Sequence, residues 1–302
     1  MNESINSLKK FGKSFYWAGR ILPSHYFKRS ADLYFFCRKL DDIADQETKI
    51  VALKKLTLIK NLIVIDNYKA LKGLKIYVPE FLKNKEIAKL AIIDLLDGLI
   101  FDQGNVNIKN NNELVKYCYR VAGTVGVLMC IALDCKEKKA KKFAIDLGIA
   151  MQLTNVARDI LEDANMGRRY LPVSRSFNIS PLEISEISNS LRLNSMKNKY
   201  ITKTLKELIM LSEEYYLSGK QGLYFLPFRI RLPIAVASNI YREIGIILKK
   251  KSFNWYEGRV YTSKFKKIKI TFLTTLKELF FIRIKIPSHN LYLHRYLRKI
   301  VK

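Results

Sequence analysis

The chain has 302 residues, 49% of them hydrophobic, with 54 Lys and Arg against 27 Asp and Glu and a formal net charge of +27. It is too apolar for a disordered chain and long enough to bury one large core. Its four cysteines, Cys37, Cys118, Cys130 and Cys135, lack metal-site spacing, and His25, His289 and His294 lie elsewhere, which excludes a zinc module or a disulfide framework and points to reduced thiols in a cytoplasmic protein.

Glycine and proline are few, 13 and 7, and no stretch keeps strict two-residue alternation. Apolar residues instead recur every three to four positions, as in Ile87 to Leu99 and Ile201 to Leu211. The expected fold is therefore all-α, a single-domain helical bundle. Breaks are expected at Gly73 to Pro79, Gln103 to Asn112, Gly167 to Pro181 and Gly219 to Pro227, none long enough for an interdomain linker. Met1 to Asn6 has no basic-then-apolar layout and is not expected to be a signal sequence.

The first informative helix runs through Tyr34 to Asp45. Leu33, Phe36, Cys37, Leu40 and Ala44 give it an apolar flank, and Asp41 and Asp45 stand four apart, one turn above each other. More than a hundred residues later Asp159 and Asp163 repeat that spacing. There Gln152, Asn155, Asp159 and Asp163 step by three, four and four to form one polar stripe bordered by Met151, Leu153, Val156, Ile160 and Leu161. Neutral amides beside carboxylates suit a concave site that shares a cation. The alternative is two unrelated solvated acidic faces. Oxygen donors with few histidines favour Mg²⁺, whose shell is usually completed by water and substrate phosphate. Arg38, Arg158, Arg168 and Arg169 lie close in sequence and are suited to phosphate oxygens.

At the C-terminus, residues 264–302 hold eleven Lys or Arg against one acid, Glu278, interleaved with Phe272, Leu273, Leu276, Leu279, Phe280, Phe281 and Ile282. This reads either as an amphipathic segment for an anionic membrane surface or as the drift of a Lys-, Ile- and Asn-rich composition. No uncharged apolar run reaches the roughly 18 residues of a spanning helix. Nucleic acid is not an expected partner, since no recognised module or aromatic platform accompanies the charge.

Four stretches resemble the squalene/phytoene synthase family of head-to-head prenyl transferases. They are Lys13-Ser14-Phe15 with Leu22-Pro23, Tyr34 through Asp45, Tyr117 through Gly126, and Gln152 through Asp159 running on to Gly167-Arg168-Arg169-Tyr170-Leu171-Pro172. A weaker match follows at Gly222, Leu226-Pro227, Tyr241 to Gly245 and Arg259-Val260. The strings Cys118 to Gly126 and Leu226 to Gly245 look most like the bacterial phytoene-forming branch. The resemblance implies an isoprenoid-synthase bundle with a central apolar cavity, formed by residues 1–265 and followed by a basic amphipathic extension over 266–302.

The resemblance also implies a reaction, the condensation of two geranylgeranyl diphosphates through prephytoene diphosphate to 15-cis-phytoene, for carotenoid biosynthesis. Asp41, Asp45, Asp159, Asp163 and Asn155 would hold Mg²⁺, with Mn²⁺ as the alternative ion, and NADPH is not expected. Arg38 and Tyr34 join the four aspartates as catalytic candidates. Substrate contacts are expected from Lys13, Ser14, Phe15, Arg38, Gln152, Asn155, Arg158, Tyr241 and Arg259. Asp42 and Glu162 point roughly 100° away from the neighbouring ligand face and are not expected as primary ligands. Phe15, Tyr34 and Tyr241 read equally as walls that stabilise a carbocation or as ordinary core aromatics. Ser14 reads as a diphosphate contact or a helix cap, and Gly123 and Gly126 as sites of close helix approach. The resemblance implies the prenyl diphosphate and other carotenoid-pathway enzymes as partners, while the basic C-terminal segment, where it is not compositional drift, adds the inner face of the cell membrane. Two alternatives remain at this level: a C15-using enzyme making presqualene diphosphate, dehydrosqualene or squalene, and a non-catalytic, membrane-associated assembly factor of the same fold.

Overall fold

Apolar residues at three- and four-residue spacing dictate helix after helix, and a computed structural model, which describes residues 2–173, 179–189, 195–281 and 285–297, shows them. They are α1 (Asn2–Phe11), α2 (Lys13–Gly19), α3 (Ser24–Gln46), α4 (Lys49–Val64), α5 (Tyr68–Gly73), α6 (Glu86–Phe101) and α7 (Asn111–Cys118). There follow α8 (Thr124–Ala132), α9 (Ala140–Arg158), α10 (Ile160–Asn165), α11 (Pro181–Asn189), α12 (Met196–Gln221), α13 (Phe228–Lys250) and α14 (Lys264–Leu279). Among the described residues no strand forms, and a single isolated bridge joins Asn107 to Arg169. Each expected break spans a gap between helices and overlaps a helix at one end, by Gly73 in α5, Asn111 and Asn112 in α7, Pro181 in α11 and Gly219 to Gln221 in α12; residues 174–178 of the third break lie outside the described residues.

Starts are set locally. Asn110 accepts from the Glu113 amide at 3.0 Å while Glu113 reaches back to the Lys109 amide at 2.9 Å, and Ser180 and Glu183 repeat this reciprocal cap before α11. Ser195 and Ser263 cap α12 and α14. The cap reading of Ser14 is not met: Gly12 holds the N-cap position of α2, and Ser14 sits inside its first turn.

Helix α9 is the centre of the bundle, packed by α8, α12 and α13. Its approach to α8 is unusually close. A Cβ on Gly126 would stand 2.2 Å from the Ala144 carbonyl oxygen, and one on Gly148 2.3 Å from that of Ala122, so both positions are confined to glycine. Between α7 and α8 the chain widens into one π turn, Tyr119–Gly123, which keeps Asn111–Ala132 a continuous helical run. By length and composition that run could cross a membrane, but half of its apolar window is buried and Leu114, Cys118 and Leu128 belong to the main core.

The described residues of the stretch set apart as an extension join the same body. The 265/266 boundary falls inside α14, which packs on α13, and Leu293 and Leu297 are buried in the main core. Ile282 lies outside the described residues. Glu278, the lone acid of the basic tail, turns inward to Arg231 at 2.7 Å, and both side chains are 7% exposed. Farther on, His289 Nε2 and His294 Nε2 lie 2.8 and 2.7 Å from the two oxygens of the fully buried Asp146, whose Oδ2 also accepts from Ser218 at 2.5 Å. The two histidines thus dock the tail on a core carboxylate.

Candidate active site

Helices α3 and α9 each contribute a wall to one cavity of about 360 Å³. From α3, Phe27, Ser30, Leu33, Tyr34, Cys37 and Asp41 face it at helical spacing; from α9, Ala144, Leu147, Gly148, Met151, Gln152 and Asn155 do the same. Asp41, Gln152 and Asn155 form its polar end. The remaining wall is apolar, with Leu22, Met129 and Leu133 toward the other end. At 1.5 Å of rise per residue, the fourteen steps from Phe27 to Asp41 make this wall roughly 21 Å long.

The second acidic stripe is not one uninterrupted helix. Asp159 leaves helical geometry (φ −104°, ψ 17°) and divides α9 from α10. The path still continues, since the Asp159 amide donates to Asn155 O at 2.9 Å and the Asp163 amide to Asp159 O at 2.8 Å. The Asp159 carboxylate is gripped by two guanidinium groups: Arg158 binds both oxygens at 2.7 and 2.6 Å, and Arg259 approaches to 2.9 Å. Arg259 also reaches Glu162 at 3.1 Å. In this conformation Arg158 and Arg259, expected at the substrate, serve the carboxylate instead.

Asp41 and Asp163 are the strained acids. Burial, then the charge of Asp45, pushes the Asp41 carboxyl up to about 7. Burial, then Asp159 and Glu162, pushes Asp163 up to about 8. Both also feel Asp102, a residue the sequence did not single out. Asp102 is buried at the end of α6, accepts from Tyr170 at 2.7 Å and Tyr117 at 3.1 Å, and is itself pushed up to about 7 by burial. Arg168 joins the two acidic segments by donating to Asp45 at 2.7 Å and to Ala44 O at 3.3 Å. Nothing in the local spacing marks Asp102, because its position is fixed by two tyrosines from distant turns.

Several expected residues stand elsewhere. The Arg38 guanidinium lies over the Phe11 ring at 4.7 Å, with Nε 2.8 Å from Asp42 but poorly directed for a hydrogen bond; it borders an outer cleft with Lys10, Lys39 and Asp42. Being on the neighbouring helix face, it acts on Asp41 through charge rather than by lining the cavity. Lys13 is exposed at the start of α2, beside Lys267, and neither it nor Ser14 lines the cavity. Arg169 is structural: its guanidinium donates to Ile108 O and Leu171 O, both at 2.9 Å.

The aromatics do gather. Phe15 and Tyr241 stack with centroids 4.9 Å apart, and both line the cavity with Tyr34. Burial pushes the Tyr34 hydroxyl up to about 12, so it stays protonated at neutral pH. Tyr241 is likewise raised by burial and hydrogen-bonds with Arg158.

The donor set fits a hard divalent cation. Asn155 Oδ1 is buried without a hydrogen-bond partner, while its Nδ2 donates to Gln152 Oε1 at 3.1 Å. An orphaned carbonyl oxygen beside crowded carboxylates is what Mg²⁺ would satisfy.

The squalene/phytoene synthase family model matches residues 8–266. The chain belongs to that family. It is therefore a prenyltransferase of the isoprenoid-synthase helical fold. A phytoene synthase of Pseudescherichia vulneris is 30% identical over 286 residues, covering 89% of this chain and 88% of that one. A 15-cis-phytoene synthase of Pantoea ananas is 28% identical over 279 residues, with the same coverage, 89% and 88%. Among solved structures, a dehydrosqualene synthase in complex with ligand superposes with a TM-score of 0.75 at 24% identity, covering 92% of this chain and 96% of that one. The squalene synthase HpnC of Alicyclobacillus acidocaldarius gives 0.62 at 15% identity, covering 83% and 95%. These structures share the fold.

Proposed function

We propose that the chain is a 15-cis-phytoene synthase that joins two geranylgeranyl diphosphates with Mg²⁺, and with no need for NADPH, on a route to carotenoids. The reading is supported by the named phytoene synthases that match nearly the whole chain, and by the shape of the cavity. An extended prenyl chain advances about 5 Å per five-carbon unit from its ~1.5 Å carbon–carbon bonds, so a wall of roughly 21 Å takes four units.

Asp41, Asn155 and Asp163, with Asp45 and Asp159, would hold Mg²⁺, which supplies positive charge to the departing diphosphate. The rest is the work of the chain itself. The apolar wall from Leu33 to Leu133 aligns the prenyl tail and keeps water from the allylic cation. As C1–O of the donor breaks and diphosphate departs, C1 bonds to the C2–C3 double bond of the second substrate; loss of a proton closes the cyclopropane of prephytoene diphosphate. The stacked Phe15–Tyr241 pair and the neutral Tyr34 ring present π-faces to the positive charge. Loss of the second diphosphate, rearrangement and loss of another proton give phytoene. Arg158 and Arg259 stand where a guanidinium released from Asp159 could receive a diphosphate oxygen.

The test is an incubation of purified protein with Mg²⁺ and either geranylgeranyl or farnesyl diphosphate, without NADPH, followed by mass spectrometry. Phytoene from the C20 substrate is expected. A C30 product from farnesyl diphosphate alone would move the protein to the C15 branch. No product from either, with lipid present, would overturn the catalytic reading.

A further inference from the structure

Helix α14 has two faces of opposite character, and its rotation is fixed. Its inner side is held by Trp17 donating to Thr271 at 3.0 Å, Asn239 to Thr274 at 2.9 Å, the buried Arg231–Glu278 pair at 2.7 Å, and Lys266 to Glu243 at 2.6 Å. Ile270 packs beside Ala18, Val236 and Ala237, and Ala18 and Ala237 also line the cavity, so the inner face backs the cavity wall.

The outer side is apolar. Phe265 is 76% exposed, Ile268 55%, Phe272 62%, Leu276 40% and Leu279 59%, and Phe280, just past the helix end, is 80% exposed. At 100° per residue the first five fall within an arc of roughly 80°. Lys264 borders that arc on one side and Lys269 on the other, while Lys266 is drawn inward to Glu243. The one acid of the helix, Glu278, is turned inward. A soluble chain seldom leaves so many large apolar side chains aligned on a surface without something to cover them.

We infer that this face lies in the interfacial layer of an anionic bilayer, with the phenylalanines in the acyl boundary and the flanking lysines at the headgroups. Charge selects this occupant. The chain carries +27 overall, and both borders of the stripe are cationic with no outward acid. An apolar wedge flanked by lysines is the pattern of a helix lying in the membrane plane. Sixteen residues give about 24 Å of helix, too short to span. The contact stands independently of which prenyl diphosphate the cavity takes, and it sets the cavity wall one helix layer from the bilayer.

The full chain should co-sediment with vesicles of phosphatidylcholine and phosphatidylglycerol and much less with phosphatidylcholine alone, and added salt should weaken the binding. These comparisons need no variant. Phe265→Ser, Phe272→Ser and Phe280→Ser combined should lower binding at least ~10-fold, and Lys269→Ser alone roughly fivefold, with melting by circular dichroism unchanged. The inference is overturned if the wild-type chain ignores both vesicle types, or if the substituted chain melts normally and binds as well as wild type. It is also overturned if light scattering shows a dimer that the substitutions dissolve while vesicles capture neither protein, since the face would then join two copies of the chain.

Discussion

Ala144 offers a direct test of how the cavity measures its substrate. It faces the cavity from α9, eleven residues before Asn155, and so stands about 16 Å from the polar end by helical rise. A C15 chain of about 15 Å ends short of it, whereas a C20 chain of about 20 Å runs past. In Ala144→Phe the ring should fill the space that the last five-carbon unit occupies. Losing burial of five carbons at about 0.8 kcal/mol each removes ~4 kcal/mol, close to three decades of kcat/KM for geranylgeranyl diphosphate. Turnover of farnesyl diphosphate should stay within a few-fold of the wild-type value. Overpacking costs about 1–3 kcal/mol of stability, so a melt must accompany the kinetics. Steady-state assays with each substrate separately, read by product mass, give the ratio. An unchanged C20-to-C15 ratio in a folded Ala144→Phe protein would refute the claim that α3 and α9 set chain length.

The acids make a prediction free of turnover. With Asp41 and Asp163 raised to about 7 and about 8, the metal-free chain should lose stability as pH rises from the ordinary carboxylate range near 3.8 through these values. Asp41→Asn and Asp163→Asn should flatten that slope and raise the metal-free Tm, while abolishing both turnover and the Tm increase on adding Mg²⁺. Glu278→Ala strands Arg231 in a dry site and should cost about 3–5 kcal/mol in urea denaturation. Burial would raise Asp146, but its bonds to His289, His294 and Ser218 carry it below the ordinary value. Its contribution should therefore be complete above pH 3.8 and fade as pH falls below it, and Asp146→Asn should remove that part of the acid transition.

Periodicity made the helices legible, since a helix is a local object and its apolar spacing shows which side is covered. The same logic found Asp41, Gln152 and Asn155, which the structure brings to one end of one cavity. It was less informative about Arg38. Spacing places that guanidinium near Asp41, but a long side chain can turn to either flank, and Phe11 from α1 draws it outward. Ser14 could be a cap only if the helix began at Phe15, and α2 begins at Lys13. The irregular geometry at Asp159 also has no single-residue signature, since aspartate is common within helices; two arginines hold its carboxylate there, one of them a hundred residues away.

By itself the sequence determined the helical class, the two acidic segments and the oxygen-rich character of the donors, because these follow from residue type and from spacing within a few turns. Only the tertiary structure decided the rest. It buried Asp102 between Tyr117 and Tyr170, used Arg168 to join two segments 123 residues apart, and closed Asp146 with histidines from the far end of the chain. It also turned Glu278 inward and the phenylalanines of α14 outward. The orientation of an amphipathic helix, and the partner of a buried charge, depend on what packs against it from elsewhere in the chain, and spacing along one helix carries no record of that neighbour.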